Sequence, residues 1–193
     1  MSTTTKNAAA TEEASGTPYL EKFFINQLKD MYYAEQQLVK ALGEMQKATT
    51  TEELEDAFEH HLKQTERHMK RLERVFKIIG ATAGTKKCEA IDGLINEARS
   101  IISETKEGTA TRDAALIVAA QKIEHYEIAT YGSLVQLALT MDLDRAADVL
   151  EKTLQEEEET DQELTMIAES FINVKAEQEQ PYSWQQKKEM AVA

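Results

Sequence analysis

Apolar side chains recur at alternating steps of four and three through four long stretches of the sequence, which is the spacing of an amphipathic helix. The stretches span about residues 19–47, 51–79, 111–141 and 143–174. Only 2 prolines and 7 glycines occur in 193 residues, too few for the many turns of a β-sandwich or barrel. The pattern therefore predicts an all-α protein built on four long helices.

The connections between these stretches predict how the helices are arranged. Helices of close to thirty residues are on the order of 45 Å long, and a four-helix bundle is the simplest way to bury four apolar stripes. The short connections at 47–51 and 141–143 make the first two helices antiparallel to each other, and likewise the last two. A further helical segment, about 88–104, lies between the two pairs. We expect it to form a short crossover helix between the second and third long helices.

The two ends of the chain differ in composition from its middle. Residues 1–17 are mostly Thr, Ala, Ser and Glu, and residues 176–193 are mostly polar. Segments of this kind bury too little apolar surface to offset the entropy that is lost when they become ordered. We expect one folded domain over residues 18–175, with a disordered N-terminal tail and a polar C-terminal tail.

The net charge of the chain and its lack of targeting signals indicate which partners and which cellular location to expect. Lys and Arg number 22 against 35 Asp and Glu, a formal net charge of -13, which repels phosphate backbones and anionic lipid. No apolar run approaches the roughly 20 residues of a membrane span, and the N-terminus lacks the layout of a secretion signal. Cys88 is the only cysteine, so nothing requires an oxidising compartment. We expect a cytoplasmic protein that binds neither nucleic acid nor membrane.

Polar side chains interrupt all four apolar stripes, and each interruption lies near the middle of its helix. The residues at these points are Glu35 in the first helix, His61, Thr65 and His68 in the second, Gln121, Glu124 and Tyr131 in the third, and Glu157 and Asp161 in the fourth. Gln64 and Glu127 lie three residues after His61 and Glu124, so both can also turn inward. Because helices of equal length pack with their middles at one level, we expect these side chains to share one buried layer.

The predicted layer carries more negative charge than the stripes can balance. It holds at least four carboxylates and no Lys or Arg. Unpaired buried carboxylates cost several kcal/mol each, so the layer must be protonated, hydrogen-bonded or neutralised by cations. Two divalent metal ions would balance four or five carboxylates, with imidazole completing their coordination. The alternative is a polar layer that fixes the register of the bundle through hydrogen bonds, including those of Tyr131.

Four segments of the sequence resemble the YciF/YciE family of bacterial stress-associated ferritin-like proteins. They are DMYYAEQQL (30–38), AFEHHLKQTERHMKRLE (57–73), RDAALIVAAQKIEHYEIATYGSL (112–134) and LQEEEETDQEL (154–164). The resemblance implies a ferritin-like bundle with a dinuclear centre of iron or manganese, with zinc as an alternative in purified protein. It also implies a homodimer, a cytoplasmic location and an association with general stress.

The wider group to which this family belongs includes rubrerythrins and manganese catalases, and their motifs imply a ligand set. The expected metal ligands are Glu35, His61, Gln64, Glu124, Glu127, Glu157 and Asp161, with His68 and Tyr131 expected to contact the ligands. Two positions depart from the rubrerythrin pattern. His61-x-x-Gln64 stands in place of Glu-x-x-His, and Asp161 stands where a second His is usual. Gln is a weak, neutral ligand, and His68 is the residue that can substitute for it or support the ligands.

Two functions follow from this reading of the sequence. The first is a di-iron or di-manganese oxidoreductase that reacts with peroxide or oxygen in ferroxidase or catalase-like fashion. The second is a non-catalytic stress protein, structural or interacting, in which the centre is structural or carries no metal; Gln64 and the missing His of the fourth helix favour it. An iron-storage cage is disfavoured, because the bundle lacks the short fifth helix that helps ferritin subunits assemble.

Overall fold

A computed structural model describes residues 18–179. The predicted N-terminal tail (1–17) and most of the predicted C-terminal tail (176–193) lie outside these residues. The helices are α1 (Tyr19–Ala48), α2 (Glu52–Ile78), α3 (Glu89–Glu104), α4 (Ala110–Thr140), α5 (Asp144–Ile167) and α6 (Asn173–Gln178). A π-helical turn over Ala168–Ile172 joins α5 to α6. No strand occurs between residues 18 and 179, and the predicted all-α class is confirmed.

The four long helices form the predicted bundle. Helix α1 packs against α2, and α4 packs against α5; the bundle closes through contacts of α2 with α5 and of α1 with α4. Since each hairpin is joined by only a few residues, its two helices run antiparallel. Helix α3 packs on α4 and α1 and covers that side of the bundle. Within the described part of the chain, no helix is long and apolar enough to span a lipid bilayer.

Two helices end in the same backbone motif. At the end of α2, Gly80 adopts φ +69°, and the N–H groups of Gly80 and Ala81 donate to the carbonyls of Lys77 and Phe76. This is a Schellman motif, in which the left-handed residue favours glycine. The end of α4 repeats it with Asp142 at φ 58°, the one non-glycine residue of the described chain with a positive φ.

Two buried charged residues at the start of α4 set the level of the helices. The carboxylate of Asp113 accepts from the backbone N–H groups of Thr50 (2.8 Å) and Thr51 (2.9 Å), where α2 begins. Arg112 donates to the carbonyls of Ile102 and Thr105 at the end of α3. These contacts satisfy helix-terminal groups that have no intrahelical partner. The contacts of Asp113 lock the start of α4 level with the start of α2, so the middles of the two helices lie at the same level along the bundle.

The apolar core consists of two clusters. The cluster at the α2–α3 and α4–α5 connections includes Phe24, Leu28, Met31, Leu72, Val75, Leu134, Ala138 and Leu150. The cluster at the opposite end includes Leu42, Met45, Leu54, Phe58, Leu116, Ile117, Leu164 and Ile172. A buried layer of polar side chains lies between them. Apolar packing therefore closes this layer off from both ends of the bundle.

The π-helical turn changes which residue of the last helix faces the core. The apolar spacing places Phe171 on the buried stripe, but the structure buries Ile172 completely and leaves Phe171 half-buried. A π turn adds one residue to the helix and rotates the positions that follow it. The expected position is therefore displaced by one residue.

Replacing Asp142 with glycine should stabilise the protein. Asp142→Gly removes the steric cost of a left-handed residue at the end of α4, and we expect a gain of roughly 0.5–1 kcal/mol in the free energy of unfolding. Urea denaturation measures this change. Asp142→Val is the control, and it should lose about 1 kcal/mol because a β-branched residue tolerates positive φ poorly. Equal stability of the two variants would contradict the left-handed assignment.

Candidate metal centre

The buried polar layer is built from all four long helices. Its members are Glu35 from α1, His61, Gln64 and His68 from α2, Glu124 and Glu127 from α4, and Glu157 from α5. The carboxylates and both histidines are at most 2% exposed. The sequence prediction of a shared layer thus corresponds to a real cluster, and each helix contributes to it from near its middle.

The side chains of the layer form two groups that are suited to hold a cation. In the first group, His61, Glu124, Glu127 and Glu157 each place one nitrogen or oxygen within 4.8 Å of all the others. In the second group, Glu35, His68 and Glu157 do the same. Glu157 belongs to both groups. The arrangement resembles a pair of neighbouring cation positions that share one carboxylate.

The two histidines face these groups with different ring nitrogens. They are seven residues apart, two helical turns, and so lie on the same face of α2. His61 Nε2 lies 3.3 Å from an oxygen of Glu124 and 3.8 Å from an oxygen of Glu157. His68 Nδ1 lies 2.9 Å from Glu157 Oε1 and 3.6 Å from Glu35 Oε1. Each histidine therefore presents one nitrogen to the carboxylates.

Many atoms of the cluster are buried without a hydrogen-bond partner among the described residues. They are both oxygens of Glu127, Glu157 Oε2, one oxygen each of Glu35 and Glu124, and His61 Nε2, whereas His68 Nδ1 and Glu157 Oε1 lie 2.9 Å apart and face each other. Native interiors leave few buried polar atoms unpaired. Here the unpaired atoms belong to the two groups described above. Such a set of oxygen and imidazole donors fits divalent first-row metal ions.

Burial raises the pKa of three carboxyl groups in the layer, which favours their uncharged form. Burial raises the pKa of Glu124 and Glu127 well above the ordinary range, and the nearby charge of Glu157 adds to both shifts. Burial also raises the pKa of Glu35, although His68 opposes that shift. Without a cation, the layer thus favours protonated carboxyl groups.

Gln64, a predicted ligand, places its side-chain oxygen beside His61. Its Oε1 lies 3.4 Å from His61 Nδ1, and Thr160 Oγ1 lies 3.3 Å from the same nitrogen. Burial lowers the pKa of His61 and favours the neutral ring. With the proton on Nδ1 directed at Gln64, the lone pair of Nε2 points at the carboxylates. Gln64 orients His61.

His68, which is predicted to contact the ligands, has carboxylate oxygens beside both of its ring nitrogens. Its Nε2 lies 2.9 Å from Glu156 Oε2, and Arg71 donates two hydrogen bonds, of 2.9 and 2.6 Å, to the same carboxylate. Burial alone would lower the pKa of His68, but the carboxylates of Glu35, Glu156 and Glu157 raise it to about 11. Burial opposes the ionisation of Glu156, yet His68 and Arg71 lower its pKa to about 2.

Glu156 and Arg71 are therefore parts of the centre that the sequence reading did not identify. The run 156–159 reads as a solvated acidic face with only Glu157 inward. The sequence feature that could have identified them is the position of Arg71. It lies three residues after His68 and therefore on the same face of α2.

Tyr131 lies beside Glu35. Its hydroxyl is fully buried and donates a hydrogen bond to Glu35 Oε1. Its ring stacks edge-on against His68, with the ring centroids 6.4 Å apart. Tyr131 thus fixes the orientation of Glu35.

Asp161, a predicted ligand, belongs to neither of the two groups. Its carboxylate is 20% exposed and 3.6 Å from the ring of His125, and it accepts a 3.3 Å hydrogen bond from Gln121. Asp161 follows Glu157 by one helical turn, but its side chain lies in the seam between α4 and α5. Five of the seven predicted ligands therefore belong to the two groups, and His68 joins them.

Comparisons with known proteins agree with this architecture. The sequence profile of a family described as a domain of unknown function, DUF892, matches residues 19–177. Protein YciF of Escherichia coli strain K12 is 44% identical over 162 residues, which cover 82% of this chain and 95% of that protein.

Three solved structures share the fold. The E. coli stress protein YciF has a TM-score of 0.77 at 43% identity and covers 81% of this chain and 99% of its own. YcfI of Rhodopseudomonas palustris has a TM-score of 0.75 at 36% identity, covering 79% and 96%. A protein of Xanthomonas campestris pv. campestris has a TM-score of 0.64 at 22% identity, covering 82% and 97%. At that identity, the last match shows the fold alone.

Removing one carboxylate of the centre should stabilise the metal-free protein. Glu127→Leu replaces a buried side chain with two unpartnered oxygens by an apolar one of similar size, so we expect a gain of about 1–3 kcal/mol at neutral to mildly alkaline pH. Denaturation in the presence of a chelator measures it. Glu158→Gln, which removes an exposed carboxylate beside Glu157, is the control and should change stability by less than about 0.5 kcal/mol. Destabilisation by Glu127→Leu would indicate that Glu127 holds the helices in register.

The stability of the metal-free protein should fall as the pH rises above about 5. Since the pKa values of Glu35, Glu124 and Glu127 are raised, the folded state binds more protons than the unfolded state in this range. His68, with its pKa raised to about 11, acts in the same direction above about pH 6.5. His61, with a lowered pKa, opposes the trend only below about pH 6.5. Urea denaturation in chelator tests this, and a stability that climbs steadily with pH would contradict it.

Proposed function

The chain belongs to the DUF892 family and is a relative of the E. coli stress protein YciF, and we propose that it is a ferritin-like stress-response protein with a dinuclear metal centre. This membership confirms the family predicted from the sequence. The observation that supports the metal centre is the set of buried, unpartnered carboxylate and imidazole atoms contributed by four helices. Once His68 has released the proton that it carries without metal, four carboxylates and two neutral imidazoles match the charge of two divalent cations.

The two groups of side chains divide the proposed ligands. His61, Glu124, Glu127 and Glu157 hold one ion, and Glu35, His68 and Glu157 hold the other. Carboxylate-rich sites with imidazole suit iron and manganese, and zinc is an alternative in purified protein. Metal binding requires deprotonated ligands, so the raised pKa values of the buried carboxyl groups mean that binding releases protons.

We propose that the loaded centre reacts with peroxide or dioxygen, in ferroxidase or catalase-like fashion. When bound, iron or manganese would supply the change of oxidation state that the side chains cannot provide. The chain itself positions the reacting region: Tyr131 holds Glu35 by a hydrogen bond, and Glu156 holds His68. The two apolar clusters at either end exclude bulk water from the centre.

A second candidate function is a non-catalytic stress protein in which the layer is structural. The observation in its favour is His68, whose two ring nitrogens lie 2.9 Å from Glu156 and 2.9 Å from Glu157, and whose raised pKa favours the charged ring when no cation is bound. That charge neutralises part of the layer without metal, as a polar layer that fixes the register of the helices would require. Under this candidate, chelation leaves helicity and thermal stability unchanged.

We further propose that the protein is a cytoplasmic homodimer. The resemblance to the YciF/YciE family supports the dimer. The formal net charge of -13 supports the proposal that nucleic acid and anionic membranes are not its partners. Sedimentation analysis of the full chain tests the oligomeric state.

Substitutions within the two groups should remove metal ions in a defined pattern. Glu35→Gln alters a ligand of the second group only, so we expect one tightly bound ion per chain in place of two. Glu157→Gln alters the shared ligand, so both affinities should fall, by at least about tenfold each. Native mass spectrometry after anaerobic loading with Fe²⁺ counts the ions. Tyr126→Phe, which changes a half-buried tyrosine outside both groups, is the control and should keep two. The same count in all three variants would contradict the proposed ligands.

Exposure of the loaded protein to oxidant tests the proposed chemistry separately. After anaerobic loading with Fe²⁺, peroxide should produce a change in the near-ultraviolet and visible absorbance that Glu157→Gln lacks. The chemistry is refuted, and metal binding is left standing, if the loaded protein shows neither an absorbance change nor turnover.

A further inference from the structure

A cation that reaches the proposed centre must cross the wall of the bundle. Every predicted ligand in the two groups is at most 2% exposed. The apolar clusters close the centre from both ends, and α3 covers α1 and α4. Two seams between helices carry charged side chains close to the level of the centre, and these differ in sign.

The seam between α2 and α5 is lined with positive charge. Arg71 pairs with Glu156 and has its guanidinium 2.6 Å from Glu156 Oε1. Arg67 lies 3.9 Å from the same carboxylate. Two guanidinium groups face one carboxylate here, and that carboxylate also accepts from His68. A divalent cation is repelled along this seam.

The seam between α4 and α5 is lined with acceptors. Asp161 is partly exposed and lies beside His125, whose side chain is 70% exposed. Gln121 donates to the carboxylate of Asp161 and to Thr165 Oγ1, and so holds Asp161 at the surface of the seam. A surface carboxylate beside an imidazole is a pair of donor atoms that a divalent cation can contact while it keeps most of its water.

The same seam leads to the buried centre. Asp161 lies one helical turn after Glu157, and Gln121 lies one turn before Glu124. On both helices, the seam residues are therefore one turn away from members of the first group. Glu124 Oε2 is buried and has no hydrogen-bond partner within the described residues. The charge of Asp161 is close enough to add to the raised pKa of Glu124, behind the larger effects of burial and Glu157.

We propose that Asp161, with His125, is the point at which divalent cations first dock before they pass between α4 and α5 to Glu124. This inference rests on the proposed metal centre and adds its route of loading. Asp161 is then a steering residue that affects the rate at which ions are loaded. The ions that are already bound in the centre do not require Asp161 as a ligand. An electrostatic steering role is visible in rates and in their dependence on ionic strength.

Stopped-flow loading of the full-length, metal-free protein with Co²⁺ tests the route, because cobalt bound by imidazole and carboxylate absorbs in the visible range. Asp161→Asn should slow loading by about fivefold to tenfold and weaken its dependence on salt. The number of ions bound at saturation and the final spectrum should match those of the parent. Asp161→Glu should load at close to the parental rate, because it keeps the carboxylate.

Matched variants separate this route from the overall charge of the protein. Glu159→Gln removes an exposed carboxylate from the same helix, on the side away from Asp161, and should load within about twofold of the parent. Circular dichroism confirms that each variant is folded. The proposal is overturned if Asp161→Asn loads as fast as the parent, or if Glu159→Gln slows loading as much.

Two further outcomes also decide between explanations. A lower ion count or an altered final spectrum in Asp161→Asn would make Asp161 a resident ligand and overturn its role in access alone. If the parent binds no cobalt at all, the proposed centre itself is refuted, and the route is refuted with it.

Discussion

The buried excess of negative charge at the middle of the bundle is the constraint on which the rest of the structure depends. Glu35, Glu124, Glu127 and Glu157 lie together, almost inaccessible to solvent, with only two histidines among them. Burying a carboxylate without a partner costs several kcal/mol, so the apolar packing at both ends must supply stability that the layer consumes. The contacts of Asp113 hold the start of α4 level with that of α2, so the carboxylates of α4 and the histidines of α2 lie at one level.

In each of the two histidines, the ring nitrogen that points away from the two groups contacts a different kind of partner. Neutral acceptors, Gln64 and Thr160, hold His61, whereas Glu156, itself paired with Arg71, holds His68. The partner of the outer nitrogen sets the tautomer and the basicity of the inner one. The two positions are therefore electronically unequal, and two ions held there would differ in affinity and redox potential. This asymmetry is built by residues that the ligand motifs do not include.

The hydrophobic spacing was sufficient to predict the helices, their pairing and the level of the polar layer, because helical periodicity determines which residues share a face. It was not sufficient to distinguish side chains on the margins of that face. Gln64 and Asp161 lie within one turn of inward residues, but Gln64 contacts His61 on its own helix, and Asp161 contacts Gln121 on α4. His68 and Glu156 depend on a contact between α2 and α5, 88 residues apart in sequence. The π turn that displaces Phe171 likewise has no signal in the spacing.

The most direct test of this account is anomalous diffraction, at the iron and manganese absorption edges, from crystals of protein isolated without added metal. The account predicts two anomalous peaks per chain on either side of the Glu157 carboxylate, one toward His61 and one toward His68. An interior without peaks, in a protein whose thermal stability is unchanged by chelators, would contradict it. In that case, protons and the charge of His68 would neutralise the four carboxylates without metal.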